Sequence, residues 1–129
     1  TRKIIQRNGD VFAFMGEAEF SWLEGSEHEE SRALAYFENG EVTAPNGHVM
    51  PAERRYFWQQ LQTGLFEVLF DDKRYFHSFS ATNPNAEHLC GDDNYVVRYD
   101  FSTWPVWRST WKVIGPRKDY TMISKYSPA

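Results

Sequence analysis

The sequence predicts an all-β protein, a single antiparallel β-barrel of about eight to nine strands. Apolar and polar side chains alternate along most of the chain, as they do in strands with one buried face. Turn-forming residues recur about every ten residues, and no stretch of about ten residues has the apolar spacing of an amphipathic helix. Many short strands with turns at this spacing are typical of antiparallel β-proteins, and the aromatic-rich composition favours a barrel.

The clearest predicted element is a hairpin over residues 104–126. Gly115-Pro116 breaks the alternation in its middle, and Arg117-Lys118-Asp119 supplies a polar corner. The residues expected to share one face of the hairpin are Trp107, Ser109, Trp111 and Val113 before the break, and Tyr120, Met122, Ser124 and Tyr126 after it.

The chain is expected to begin with a short strand over residues 3–7 and a tight turn at Asn8-Gly9-Asp10. A second strand follows over residues 12–22. Its Gly16 and Ala18 are small among large neighbours. Small residues at such positions indicate a close approach of another strand, a bend at a barrel corner, or room for a ligand.

Similar signals predict a series of strands between residues 28 and 101. A hairpin turn is expected at Asn39-Gly40, between strands over residues 28–38 and 41–43. The long polar stretch over residues 81–94 is expected to be a loop. The other expected strands cover residues 53–61, 65–70, 74–80 and 95–101, and the other expected turns are Pro45-Asn46-Gly47, Gln62-Thr63-Gly64 and Asp71-Asp72-Lys73.

Length and charge exclude several classes of protein. The 129 residues suit one domain, and aromatic residues make up 17% of them, so the core has to be built from large flat side chains. The net charge is −4 and no run of Lys or Arg occurs, so we expect no nucleic-acid partner. No apolar run approaches the length of a membrane span, so we expect no membrane association.

Cysteine content indicates the compartment. Cys90 is the only cysteine, so no disulfide can form within the chain, and a reducing cytoplasm is the expected location. The sequence starts with Thr1 and not with Met, so we keep the hypothesis that its N-terminus is processed or trimmed.

Four segments carry a family resemblance: residues 14–20, residues 71–77, the His-x-Cys-x-x-Asp-x-Tyr motif from His88 to Tyr95, and Gly-Pro-Arg-Lys-Asp-Tyr from Gly115 to Tyr120. Through them almost the whole chain resembles a family of bacterial proteins of unknown function described as lipocalin-like. The resemblance implies one calycin-type β-barrel over residues 1–129 and brings no established activity. Members of this family look as though a short segment with a Gly-x-Trp-like element precedes the first strand. We therefore expect a closing segment to be missing here and one end of any pocket to be open.

A polar patch is expected at the mouth of the barrel. Arg74, His77, Tyr95 and Lys118 are suited to orient a carboxylate or phenolate, and His77 is the expected proton shuttle near neutral pH. The alternative is structural. In that interpretation Arg74 and Lys118 form ion pairs in turns with Asp71, Asp92 or Asp119.

Aromatic side chains are the candidates for the walls of a ligand cavity. The expected wall residues are Tyr56, Trp58, Tyr99, Trp107 and Trp111. The alternative is ordinary core packing, which a stripe of aromatic residues at strand spacing also indicates.

A metal site has weaker support. His77, His88 and Cys90 are suitable ligand types, but the His88-x-Cys90 spacing lacks the pattern of a zinc knuckle and no second cysteine exists. In the alternative interpretation His88 and Asp92 cap a loop and Cys90 packs as a small apolar residue. We therefore predict no resident metal or cofactor. The acidic cluster Glu27, Glu29 and Glu30 is expected to be a solvated turn.

Three functional hypotheses follow. The first is a binding protein for a small, largely apolar ligand inside the barrel, with the aromatic wall residues and the polar patch as its site. The second is an enzyme that uses His77 as general acid or base beside Tyr95 on a cyclic or phenolic substrate. The third is haem or metal binding through His77 or His88. A homodimer through strand edges is expected if the barrel is incompletely closed.

Overall fold

The structure, a computed structural model, describes residues 1–23, 32–61, 65–80 and 83–128. Nothing in these ranges is a helix of the length and apolar character needed to cross a membrane. The strands are β1 (Arg2–Gln6), β2 (Val11–Trp22), β3 (Arg32–Thr43), β4 (Val49–Gln60), β5 (Leu65–Phe70), β6 (Tyr75–Ser80), β7 (Asn85–Cys90), β8 (Asp93–Asp100), β9 (Trp107–Gly115) and β10 (Lys118–Tyr126).

The ten strands form one antiparallel sheet in the order β6-β5-β4-β3-β2-β1-β10-β9-β8-β7. β1 lies between β2 and β10, so the first and the last of the ten strands are neighbours in the wall. The sheet curls until its edges, β6 and β7, face each other, and the ring of His88 lies 6.0 Å from Tyr75 and 5.7 Å from Phe76. The expected all-β antiparallel barrel is confirmed as a nearly closed barrel, with ten strands in place of eight to nine.

The predicted hairpin at Asn39-Gly40 is wrong. β3 runs through these residues without a turn and pairs with both β2 and β4, so the strand expected at residues 41–43 is the end of β3. Gly40 lies directly opposite Gly16, and a Cβ atom on either glycine would collide with the backbone of the other strand. The glycines therefore serve a close approach of two strands. Residues 28–31, the predicted beginning of this strand, lie outside the described residues.

The predicted loop over residues 81–94 is also wrong. β7 and β8 pair from Asn85↔Arg98 to Cys90↔Asp93, and a turn that includes Gly91, at φ 61°, joins them. Along β7 exposed and half-buried residues alternate. The polar composition of this segment therefore reflects the exposed face of a hairpin.

Most of the other predicted elements are confirmed. The turns at Asn8-Gly9-Asp10 and Pro45-Asn46-Gly47 place their glycines at φ 93° and 86°, a conformation that glycine adopts without steric cost. The turn at Asp71-Asp72-Lys73 joins β5 to β6. The break expected at residues 62–64 lies outside the part of the chain that the structure describes.

The core lies inside the barrel and is mostly aromatic. Trp107, Ser109, Trp111 and Val113 are all buried, so the face that they were predicted to share is the inner face of β9. The predicted face of β10 is partly buried, since Met122 and Ser124 are buried whereas Tyr120 and Tyr126 are half-buried. Rings from different strands pack against one another: Trp58 lies edge-on to Phe79 at 5.4 Å between ring centroids. Burial of such large side chains is the main stabilising contribution in a core of this kind.

A β-bulge in β6 turns two consecutive side chains into the core. Val68 pairs with His77 whereas Leu69 pairs with Tyr75, which leaves Phe76 as the extra residue. Phe76 and His77 are 0% and 1% exposed. Bulges re-aim side chains in this way, whereas strict alternation would turn one of the two outward.

The close approach at Gly16 leads to a test by substitution. Gly16→Val places side-chain atoms where the backbone of β3 lies, and we expect overpacking to lower the free energy of unfolding by about 1–3 kcal/mol in urea denaturation. The neighbouring Met15 is 71% exposed, so Met15→Ala should leave stability nearly unchanged. Equal stability of Gly16→Val and the wild-type protein would contradict the strand contact.

Candidate functional site

A cleft of about 930 Å³ opens in the wall of the barrel beside β2. On one side it is lined by residues 16–20 of β2, and on the other by Trp104, Pro105 and Trp107 and by residues 124–128. Arg2, Phe14 and Glu38 also line it. We call this opening the β2 cleft.

The β2 cleft lies beyond the end of the pairing between β1 and β2. Pairing between these strands runs from Ile5↔Val11 to Arg2↔Phe14, whereas β2 continues to Trp22. β3 pairs with β2 as far as Trp22, so that side of the strand is covered. The other side of β2, beyond Phe14, faces the cleft.

Aromatic rings form the apolar part of the cleft. Trp107 stacks on Tyr126 with ring centroids 3.9 Å apart, and Phe20 lies 6.4 Å from Trp107. At the rim, Trp104 is 68% exposed. Aromatic side chains of this kind present large apolar area at a low cost in conformational entropy.

A buried ion pair forms the polar part of the cleft. Arg2 donates from Nη1 to Glu38 Oε1 at 2.6 Å and from Nη2 to Oε2 at 2.9 Å. Its Nε donates to Ser124 Oγ at 2.7 Å, and Tyr36 donates to Glu38 Oε2 at 2.5 Å. Arg2 and Glu38 are only 7% and 2% exposed, so this bidentate pair joins β1, β3 and β10 from inside the barrel.

Protonation states in this network follow from its partners. Burial disfavours the charged form of Arg2 and by itself would lower its pKa. The hydrogen bond to Glu38 and the electrostatic influence of Tyr126, Glu38 and Tyr36 outweigh burial, so the pKa of Arg2 is raised. Burial, followed by the neighbouring Tyr126 and Glu38, raises the pKa of the Tyr36 hydroxyl. The guanidinium of Arg2 therefore stays charged and the phenol of Tyr36 stays neutral near pH 7.

The aromatic residues predicted as ligand walls surround a second and much smaller cavity. Tyr56, Trp58, Tyr99, Trp107 and Trp111 line a space of about 20 Å³. A cavity needs about 10–15 Å³ to hold one water molecule, so this space is of water size. Of these five residues, Trp107 also lines the β2 cleft.

His77 lies in the core and outside the linings of both cavities. Its Nε2 shares a hydrogen bond of 2.8 Å with the hydroxyl of Tyr99, while Nδ1 has no partner among the described residues. Burial, and to a smaller extent His88, lowers the pKa of His77 to about 3. The ring is therefore neutral near pH 7, and its role as a general acid or base stays a prediction.

The other members of the predicted polar patch lie in two separate groups. Arg74 pairs with Asp72 at 2.6 Å within the β5–β6 turn. Lys118 lies 3.1 Å from Asp93 and donates to the hydroxyl of Tyr95 at 3.3 Å. Both cations thus form ion pairs at turns, with Asp72 and Asp93 in place of the partners expected from the sequence.

The metal candidates lie near the seam of the barrel. His88 and Cys90 are half-buried on β7, opposite Tyr95 and Asp93. Within the described ranges, no three His, Cys, Asp or Glu side chains are grouped closely enough to hold a metal ion. The acidic residues Glu27, Glu29 and Glu30 lie outside these ranges.

Sequence reasoning missed the ion pair at the cleft. Arg2 and Glu38 are single charged residues in otherwise ordinary strands, and their contact depends on the register across β2. One signal was available in the sequence. Glu38 lies two residues after Tyr36, so both side chains point to the same face of the strand, and an aromatic residue such as Tyr36 suits the interior. A carboxylate on an inward face needs a buried cation or donor.

The ion pair leads to a stability prediction. Glu38→Leu leaves Arg2 as an uncompensated buried charge, so we expect the free energy of unfolding to fall by about 3–5 kcal/mol. The double variant Arg2→Met with Glu38→Leu should recover part of that loss in urea denaturation. Arg74→Met, which breaks an exposed pair, is the control and should change stability little. Equal effects of Glu38→Leu and Arg74→Met would contradict the stabilising role of the buried pair.

His77 leads to a prediction about pH. Its pKa of about 3 in the folded protein is below the ordinary value of 6.5, so the unfolded chain gains a proton first as pH falls. Between pH 6.5 and about 3, this group should lower the free energy of unfolding by up to about 1.4 kcal/mol per pH unit, with no contribution above that range. His77→Gln should flatten this part of the profile, whereas His48→Gln, in an exposed turn, should not. Identical profiles for the two variants would contradict the burial of an uncharged His77.

The comparisons with known proteins concern the whole chain. No curated protein and no solved structure matches it. Residues 1–128 match a family of unknown function, DUF6314. Because the match covers nearly every residue of the barrel, the chain belongs to the DUF6314 family of unknown function.

Proposed function

We propose that this protein is a lipocalin-like binding protein that takes a largely apolar ligand into the β2 cleft. The observation that carries the proposal is the cleft itself, an opening of about 930 Å³ with aromatic side chains and a preformed polar network. Ligand sites are typically concave, about 300–1,000 Å³ in volume, and lined by apolar side chains with a few fixed polar groups. The β2 cleft falls within this range of volume, and its lining combines aromatic rings with polar and charged side chains.

The polar network favours binding over catalysis. Arg2 uses its guanidinium donors on Glu38, Ser124 and Tyr126, so the charged groups are already paired. Such a network fixes the shape of the cleft without attracting a charged ligand strongly. Tyr126 also lines the cleft, and its hydroxyl is a hydrogen-bond partner for a polar end of the ligand.

The order of the strands supports the lipocalin-like part of the proposal. From β1 to β6, and again from β7 to β10, each strand pairs with the next one in sequence. Up-and-down barrels of this kind include the lipocalins, which hold a ligand within the barrel or at its mouth. The proposal includes a cytoplasmic location, because a single cysteine is typical of proteins in a reducing compartment.

Two matched substitutions on β2 test the site. Ala18 lines the cleft, whereas Ala13 is exposed on the same strand. Binding of the fluorescent probe 1-anilinonaphthalene-8-sulfonate should weaken at least tenfold in Ala18→Trp, because the indole fills the cleft. Ala13→Trp should bind as the wild-type protein does. Thermal unfolding of both variants shows whether they remain folded.

Either of two results would overturn the proposal. In one, the folded wild-type protein does not bind the probe. In the other, folded Ala18→Trp binds it with unchanged affinity, which would place the apolar site elsewhere on the molecule.

A further inference from the structure

The small interior cavity, of about 20 Å³, is lined by two arginines and by no acidic residue. Arg2 and Arg54 belong to its lining, whereas no Asp or Glu in the described parts of the chain does. The charge of Arg2 is offset by Glu38. Arg54 forms no ion pair with any residue that the structure describes. The cavity therefore borders one cation without a counter-charge.

Neutral neighbours hold the Arg54 side chain inside the barrel. Arg54 lies on β4, two residues before Tyr56, and both side chains point to the interior. Its Nη1 donates to Met122 Sδ on β10 at 3.8 Å, and its guanidinium carbon lies 6.0 Å from the centre of the Trp111 ring on β9. A thioether is a weak acceptor, and a ring face attracts a cation without neutralising it. These contacts orient the guanidinium and leave its charge in place.

The other charged groups near Arg54 are already paired. Glu38 lies opposite Arg54 in the register of β3 and β4, but both of its carboxylate oxygens accept hydrogen bonds from the other lining arginine. Lys118 and Asp93 act together with Arg54 on the pKa of Tyr120, and these two residues pair with each other at 3.1 Å. The two pairs have no net charge, so one positive charge is left over.

Neutral hydrogen-bond donors also line the cavity. Ser109 and Trp111 are buried, and neither the hydroxyl of Ser109 nor the indole N–H of Trp111 has a hydrogen-bond partner among the described residues. Burial raises the pKa of Tyr56 and the nearby Arg54 only partly opposes the shift, so the Tyr56 hydroxyl keeps its proton near pH 7. An anion can accept hydrogen bonds from each of these groups and from the guanidinium.

The volume of the cavity selects a small anion. A space of about 10–15 Å³ holds one water molecule, and this cavity measures about 20 Å³. A halide ion is spherical and only slightly larger than a water molecule, whereas a carboxylate or phosphate group has several heavy atoms and needs more room. Removing a halide from water is costly, and a guanidinium with neutral donors is the kind of surrounding that offsets this cost.

We propose that the interior cavity binds one halide ion such as chloride, with Arg54 as its counter-charge and with Tyr56, Ser109 and Trp111 as hydrogen-bond donors. Arg54 does not line the β2 cleft, so the inference adds a second site and goes beyond the proposed function. Bound halide joins β4 to β9 through these side chains. Since the unfolded chain has no such site, halide binding stabilises the folded barrel.

Thermal unfolding at constant ionic strength tests the site, with sodium chloride or bromide replacing sodium methanesulfonate, whose anion is too large for the cavity. The Tm of the wild-type protein should rise and then saturate with halide, by about 5 °C at a concentration of about ten times the Kd. Arg54→Gln should abolish the saturable rise. Arg55→Gln is the matched control, because Arg55 is the next residue of β4 and is exposed, and it should keep the rise.

Chlorine-35 NMR provides a second measurement on the folded protein. Exchange with a bound ion broadens the chloride resonance, and bromide that competes for the site should narrow it again. Ser109→Ala removes one donor and should weaken chloride affinity about threefold, as the loss of one hydrogen bond predicts. This variant keeps Arg54, so it tests the site even if Arg54→Gln does not fold.

Three results would overturn the inference. The first is a wild-type Tm that does not depend on halide, which would assign the cavity to water. The second is an equal, saturable rise in folded Arg54→Gln, and the third is unchanged chloride affinity in folded Ser109→Ala. Either of these two would place the halide site elsewhere on the molecule. None of the three affects the β2 cleft, which the fluorescent probe tests separately.

Discussion

The buried pair of Arg2 and Glu38 is the interaction on which the closure of this part of the barrel depends. β1 has only five residues, and it is the strand that separates β2 from β10. β1 pairs with both neighbours through its backbone. The bidentate contact with Glu38 on β3 and the bond from Arg2 to Ser124 on β10 hold it in addition from inside the barrel. The desolvation of two charges opposes folding, and the completeness of the hydrogen bonding offsets that cost.

The same arrangement shapes the β2 cleft. Arg2 pairs with Phe14, the last pair between β1 and β2, and it also lines the cleft. The cleft therefore has a rigid polar end and an aromatic side formed by Trp107 and Tyr126. A site with a fixed shape loses little conformational entropy when it binds a ligand.

Local patterns predicted much of the fold, because strand alternation and turn chemistry depend on neighbouring residues. The C-terminal hairpin and its buried face are examples. Features that depend on distant residues were missed. Asn39-Gly40 is a residue pair typical of a hairpin turn. In the structure β3 continues through it, and Gly40 lies opposite Gly16 on β2. The site was predicted less well, since Arg2 and Glu38 meet only through the register of three strands. The aromatic residues were correctly assigned to the interior, yet their packing leaves a space of about 20 Å³.

The seam between β6 and β7 gives the barrel an uneven resistance to deformation. Elsewhere neighbouring strands are joined by ladders of backbone hydrogen bonds, whereas among the described residues β6 and β7 meet through the rings of Tyr75, Phe76 and His88. Ring contacts are less directional than a ladder of hydrogen bonds, so they fix the register of these two strands less strictly. The barrel therefore has a line of weakness along its length, and breathing motions of the wall should concentrate there, opposite the strand that the buried ion pair holds.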